Sequence, residues 1–144
     1  MGAWGHGPFD NDDALDFLGD LDAGRRGTFR WLPGRRMPRG LASALAAVTD
    51  ADGYLDAGVV STGVAAAALV AAAAGGPRPD TDVVAAWLDA HPFVPDDGLR
   101  AGSRAELDRA FEPADNEWYD LWADAGAVDD VRAALAPYRA ALGS

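Results

Sequence analysis

The sequence predicts an all-α protein, a single compact domain (residues 1–144) of six or seven helices around an alanine-rich central helix. Three observations predict this class. The length of 144 residues is that of one domain. Alanine, the best helix former, occurs 32 times, whereas isoleucine, which favours strands, is absent. Apolar residues also recur at spacings of three and four along most of the chain, which is typical of helices that bury one face.

The first helix is predicted to begin in the acidic stretch 10–13, whose side chains can accept hydrogen bonds from free backbone N–H groups. An apolar stripe then follows at helical spacing. The stripe consists of Ala14, Phe17, Leu18 and Leu21. We expect Gly24 and Gly27 to end this helix. Residues 22–38, rich in arginine, glycine and proline, are expected to form an irregular excursion.

A second helix is predicted over 39–49, followed by a turn at 50–53 in which aspartate and glycine serve the turn itself. The alanine-rich helix is predicted over 57–74. Residues 57–76 carry no charge over twenty positions, which is the length of a membrane span. However, nine of the twenty are alanine and no cluster of basic residues flanks them. We therefore expect a buried central helix and no membrane span.

Asp80 or Thr81 is predicted to cap the next helix, which must end near His91 because Pro92 follows. A loop is expected over 92–102. The pattern Ser103-Arg104-Ala105-Glu106 matches a capping box and predicts that a short helix begins there.

Two helices are predicted in the remaining sequence. Asp115 is expected to cap the first of them and Gly126 to end it. The last helix is expected to begin at Asp129 or Asp130. Pro137 lies within its apolar pattern and predicts a kink or a break.

Charge and composition exclude several classes of function. The formal net charge is −11, which disfavours binding to nucleic-acid phosphates and is typical either of a protein with a basic partner or of a protein kept soluble by its charge. The cluster of arginines over 25–39 is expected to be a solvated loop. The absence of cysteine excludes disulfides and thiolate metal sites. No signal-peptide pattern opens the sequence, so we expect a cytoplasmic protein.

The first thirteen residues combine glycines, aromatic residues, a histidine and acids at a chain end that is usually frayed. We expect Trp4 and Phe9 to dock this segment on the body of the protein. It also supplies the candidate functional cluster, which consists of Trp4, His6, Asp10, Asn11 and Asp12. Carboxylates and an imidazole could hold Mg²⁺, Mn²⁺ or Zn²⁺. Helix capping by Asp10 or Asn11 explains the acids more simply, and we expect no metal and no cofactor.

The opening Gly2-Ala3-Trp4-Gly5, followed by Gly7 and by Phe9-Asp10-Asn11-Asp12, resembles the start of the domain-of-unknown-function 4259 family. The later order of elements is similar as well, including Asp52-Gly53-Tyr54-Leu55 before the alanine-rich helix and Glu117-Trp118 before the last one. The resemblance implies a small helical protein of bacterial origin. It implies no chemistry.

Three hypotheses about function follow. The first is an acidic protein-interaction or regulatory module with a basic protein partner, in an immunity-like role. The second is a metal-dependent hydrolase that uses the N-terminal histidine and aspartates. The third is a small-molecule binder with a pocket lined by Trp4, Trp87, Trp118 and Trp122. No nucleophile motif accompanies His6 and His91, so the sequence does not favour an enzyme. The oligomeric state is left open.

Overall fold

A computed structural model describes the backbone of residues 5–27 and 39–143 and the side chains of residues 5–21 and 40–143. Within these ranges the protein is all-α, and seven helices are present. They are α1 (Asp12–Gly27), α2 (Arg39–Thr49), α3 (Ala57–Ala73), α4 (Asp82–Ala90), α5 (Asp97–Ala110), α6 (Glu117–Asp124) and α7 (Val128–Ala141). The predicted fold class is confirmed. None of these described helices is long and apolar enough to cross a membrane.

The alanine-rich helix α3 is the centre of the fold, as predicted. It contacts α1, α2, α5, α6 and α7, and α2 also packs against α5. Residues 63–71 are all buried, so no side of this part of α3 faces solvent. A helix that is apolar on every side must be surrounded by others. Its alanines allow those neighbours to approach closely, because each adds only a methyl group to the helix surface.

Helix α1 ends at Gly27, one of the two glycines expected to end it, but the irregular stretch predicted from residue 22 begins in the helix. The helix thus contains Gly24 and the first six residues of the stretch 22–38 that was expected to be irregular. The predicted apolar stripe is buried, and α1 packs against α3. The remainder of that stretch, residues 28–38, lies outside the described residues, as do the side chains of the arginine cluster from 25 to 39.

The predicted start of the fifth helix is wrong. Helix α5 begins at Asp97, and the Asp96 side chain caps it by accepting a hydrogen bond from the N–H of Leu99 at 2.7 Å. Ser103 and Glu106 lie inside the helix, and both are buried. The Ser103 hydroxyl donates to the Leu99 carbonyl in the preceding turn, so it forms no cap. The burial of Leu99 adds a turn that the polar sequence does not predict.

Two further details of the helix ends differ from expectation. Asn116, and not Asp115, caps α6, since its side-chain oxygen accepts the N–H of Tyr119 at 3.0 Å. Helix α7 continues through Pro137 without a break. Because Leu135 and Tyr138 are both buried, packing holds the two halves of α7 in place around the proline. The caps and ends predicted for α4 are confirmed, with Thr81 as the cap.

Candidate functional site

The N-terminal loop closes tightly around the carboxylate of Asp10. The N–H of Gly7 donates to Asp10 Oδ2 at 3.0 Å, and the N–H of Asp10 donates to the Gly7 carbonyl at 3.2 Å. A Cβ atom placed on Gly5 would lie 2.5 Å from Asp10 Oδ2, and one on Gly7 would lie 2.8 Å away. Larger residues would therefore displace this carboxylate. The spacing of glycines before Asp10 has a structural cause.

The segment docks on the body of the protein, as predicted for Phe9. Phe9 is almost completely buried, and Pro8 is buried beside it. Burial raises the pKa of Tyr138 in α7, and the negative charges of Asp10 and Asp80 raise it further, which places Asp10 near α7. Trp4, the other predicted anchor and a member of the candidate cluster, lies outside the described residues.

Asn11 and Asp12 of the cluster lie at the start of α1, whereas the Asp10 carboxylate is bound within the loop. Asn11 caps α1, since its Oδ1 accepts the N–H of Ala14 at 2.8 Å, which confirms the predicted cap. Asp12 is exposed in the first turn of α1. The neighbouring Asp13 approaches Gly58 at the start of α3, where a carboxylate is favoured by the positive end of the helix dipole.

His6 packs against an aromatic ring. Its side chain is exposed, and its ring centroid lies 5.5 Å from that of Trp122 in α6. Among the side chains described, those of residues 5–21 and 40–143, no group of three histidine, aspartate or glutamate residues is close enough to hold a metal ion. The hypothesis of a metal-dependent hydrolase is therefore not favoured.

A small cavity lies where the N-terminal loop meets α3, α6 and α7. Its volume is about 30 Å³. Its polar and aromatic lining residues are His6, Asn11, Asp13, Ser61, Trp118 and Trp122. Ligand pockets for small molecules are typically about 300–1,000 Å³, whereas this volume suits one or two waters. Trp87 does not line the cavity. The hypothesis of a small-molecule binder is not favoured either.

Trp87 and His91 form a separate contact at the end of α4. Their ring centroids are 4.7 Å apart, and His91 Nδ1 lies 2.9 Å from the Trp87 carbonyl oxygen. This position agrees with the expectation that His91 ends a helix. The two described histidines therefore lie on different elements and contact different aromatic partners.

The structure brings together a second set of acids that sequence reasoning did not combine. Leu55 and Asn116 form an isolated parallel bridge, in which the N–H of Leu55 donates to the Asp115 carbonyl at 2.8 Å. The N–H of Ala57, at the start of α3, donates to Glu117 Oε1 at 2.8 Å across sixty sequence positions. The acid-rich segments before α3 and before α6 therefore lie side by side.

An exposed tyrosine stands within this set. Tyr54 is 60% exposed, an unusual degree among the aromatic side chains that the structure describes. Desolvation raises the pKa of its phenol, and the nearby carboxylates of Glu117, Asp120, Asp56 and Asp115 raise it further. We call these five residues the acidic face. The sequence contained its parts, since Asp56 follows the acidic turn at 50–53, but only the bridge between Leu55 and Asn116 joins them.

The family described as domain of unknown function (DUF4259) matches residues 2–134 of the 144. The chain belongs to this family. No curated protein and no solved structure shows significant similarity to it. The DUF4259 match begins within the glycine-rich loop and ends in α7, so it includes both the Asp10 loop and the acidic face.

Proposed function

We propose that this DUF4259 protein is an acidic protein-interaction module of the bacterial cytoplasm, which binds a basic protein partner through the acidic face. The observation that carries the proposal is Tyr54, a 60% exposed aromatic ring with four carboxylates close enough to act on its phenol. An aromatic face and carboxylates attract the same ligand, a lysine or arginine side chain, by cation–π and charge interactions.

The charge of the whole protein supports this assignment. A net charge of −11 creates a negative potential that attracts a basic partner from a distance and accelerates its association. The acidic face adds a local feature that can orient the partner. Glu117 is anchored by its hydrogen bond to the Ala57 N–H, so at least one carboxylate of the face is held in position.

The test uses a fluorescently labelled lysine- and arginine-rich peptide as the probe, with anisotropy as the readout. The variant Asp115→Asn/Asp120→Asn removes two charges from the acidic face. The variant Asp129→Asn/Asp130→Asn removes two from the exposed first turn of α7 and is the matched control. Asparagine tolerates the positive φ of 51° at position 115.

Loss of two exposed ion pairs is expected to weaken binding about fivefold, and the control less than about twofold. Tyr54→Ala is expected to weaken it by about two- to fivefold, through the loss of the cation–π contact. Equal weakening by the two double variants would mean that the peptide responds only to net charge, and would refute a specific acidic face.

An immunity-like role is the specific form of this proposal. It predicts that the protein relieves the growth inhibition caused by a basic toxin encoded beside it. Wild-type protein and the Asp129→Asn/Asp130→Asn control should restore growth, whereas the Asp115→Asn/Asp120→Asn variant should not. Rescue of growth by all three proteins would show that an immunity-like role does not depend on the acidic face.

A further inference from the structure

Glu106 lies at the junction of three helices. It belongs to the middle of α5, it is 0% exposed, and its carboxylate faces Gly63 of the central helix α3. A Cβ atom on Gly63 would lie 2.6 Å from Glu106 Oε2 and 2.8 Å from a methyl group of Val48 in α2. The carboxyl group is therefore enclosed between α2, α3 and α5, in space that exists because residue 63 has no side chain.

Nothing in the described structure compensates a charge at this position. Both carboxyl oxygens of Glu106 are buried, and neither has a hydrogen-bond partner among the described residues. The two helices that enclose Glu106 bring no described ionisable side chain to it, because α3 contains none and α2 contains none between residues 40 and 49. The nearest hydroxyl along α5, that of Ser103, donates to the Leu99 carbonyl.

The other charged residues of α5 either bind other groups or lie on other sides of the helix; among the latter, the Nε of Arg100 is buried without a hydrogen-bond partner. Arg104 donates to the Leu142 carbonyl, and Asp108 pairs with Arg139 of α7. Arg109 donates to carbonyl groups beyond the end of the helix. Arg100 and Asp97 precede Glu106 by six and nine residues, and these spacings place both on other sides of the helix. Burial, with no opposing charge, raises the pKa of Glu106 well above its usual value.

We propose that Glu106 is a proton-controlled latch. Its protonated carboxyl group allows α5 to remain packed against α2 and α3, and loss of the proton drives α5 out of this junction into water. Opening releases one proton, since the exposed carboxyl group ionises at the ordinary value of 4.5. The device is independent of the acidic face, so a partner need not exist for it to operate.

The direction of the pH effect follows from the raised pKa. Below the ordinary glutamate value both the closed and the open protein hold the proton, and the closed packing is fully stable. At higher pH only the closed protein holds it, so the closed packing weakens steadily as the pH rises. The decline ends once the closed protein also loses the proton. Because opening releases one proton, the equilibrium constant for opening rises about tenfold per pH unit between the ordinary pKa of glutamate and the raised pKa of Glu106.

The first experiment observes the carboxyl group directly. The sequence contains only three glutamates, at positions 106, 112 and 117. Carbon-13 labelling of glutamate therefore yields three side-chain carboxyl signals in nuclear magnetic resonance spectra, which single glutamine variants assign. The Glu106 signal of the wild-type protein is expected to be that of a protonated carboxyl group at pH 7. A signal that is fully ionised at pH 7 would overturn the proposal.

The second experiment measures the opening. Hydrogen exchange of α5 and α3 amides, corrected for the intrinsic pH dependence, is followed from pH 5 upward in the wild type, Glu106→Gln and Glu112→Gln. The tenfold change per pH unit is expected in the wild type and in Glu112→Gln, whose altered residue is exposed. It should be absent in Glu106→Gln. Equal slopes in all three proteins would refute the latch, and if Glu106→Gln does not fold, the carboxyl signal decides.

Discussion

Asn11 and Asn116 show how single side chains organise this protein. Each caps a helix through its side-chain oxygen, at the start of α1 and of α6 respectively. Asn116 is also fully buried, and its side-chain N–H groups donate to the carbonyls of Ala110 and Glu112. It therefore connects the end of α5 with the start of α6. Asn11 is flanked by aspartates that suggested a metal site, and Asn116 follows Asp115, which the sequence predicted as the cap.

Asn11→Ala is predicted to lower the free energy of unfolding by about 0.5–2 kcal/mol, because the N–H of Ala14 loses its acceptor. Urea denaturation measures the change. Asp12→Ala, at an exposed position in the same turn, should cost less, about 0.3–1 kcal/mol.

Added Mg²⁺, Mn²⁺ or Zn²⁺ should leave the melting temperature unchanged. A saturable rise that disappears in both His6→Ala and Asp12→Ala would instead indicate a metal site.

Gly63→Ala is predicted to destabilise the protein by about 1–3 kcal/mol, because the new methyl group would overlap Glu106 and Val48. Gly53→Ala is the control, since nothing lies within 4 Å of the Cβ that it adds. Thermal melting of the two variants distinguishes them. A Gly63→Ala protein as stable as Gly53→Ala would show that the junction of α2, α3 and α5 can accommodate an additional methyl group.

At the scale of elements, α3 and the N-terminal loop determine how the helices assemble. The five helices that contact α3 do so across a surface made almost entirely of small or β-branched residues. The loop then closes the end of the assembly where α3, α6 and α7 meet, and a cavity of about 30 Å³ lies beneath it. Tight packing of this kind tolerates little added volume.

Ala67→Leu or Ala68→Leu is predicted to overpack the core and to cost about 1–3 kcal/mol of stability. Both residues are at most 1% exposed. Ala86→Leu, on an exposed side of α4, provides the matched change outside the core and should alter the urea midpoint little. If the core variants melt at the same temperature as Ala86→Leu, then α3 is not the packed centre of the fold.

Phe9→Ala is predicted to lower stability by about 3–5 kcal/mol, because its ring is 1% exposed and anchors the N-terminal loop. His6→Ala removes an exposed ring from the same loop and should cost far less. Calorimetry measures the melting temperatures of the two variants and so compares the loss of a buried anchor with the loss of an exposed ring. An unchanged melting temperature in Phe9→Ala would show that the loop contributes nothing to folding.

At the scale of the whole molecule, the excess of acidic residues determines how stability depends on salt. At a net charge of −11, the negative side chains repel one another in the folded state. Described ion pairs such as that of Arg78 with Asp89 are exposed, so they contribute little to the free energy of unfolding. Raising NaCl from ~10 to ~200 mM screens this repulsion and is predicted to raise the melting temperature. KCl should act equally if screening is the cause. A fall with salt would mean that attractive ion pairs outweigh the repulsion.

The sequence by itself determined the helical class, the central place of α3 and most helix bounds. Periodic apolar residues, caps such as Asn11 and Thr81, and breakers such as Pro92 act within one or two turns of the chain. Local signals of this kind can be read without knowledge of the fold. The same locality explains the failure at Ser103 and Glu106, where a good local pattern competed with the burial of Leu99 against distant helices.

Only the tertiary structure decided which polar residues share an environment. The bridge between Leu55 and Asn116 joins two acidic segments into one face, and helix packing leaves Glu106 without a partner between α2, α3 and α5. The acidic face needed a contact across sixty positions, and the enclosure of Glu106 needed a missing side chain at Gly63. Such environments depend on how helices pack against each other, and periodicity along one helix carries no information about that packing.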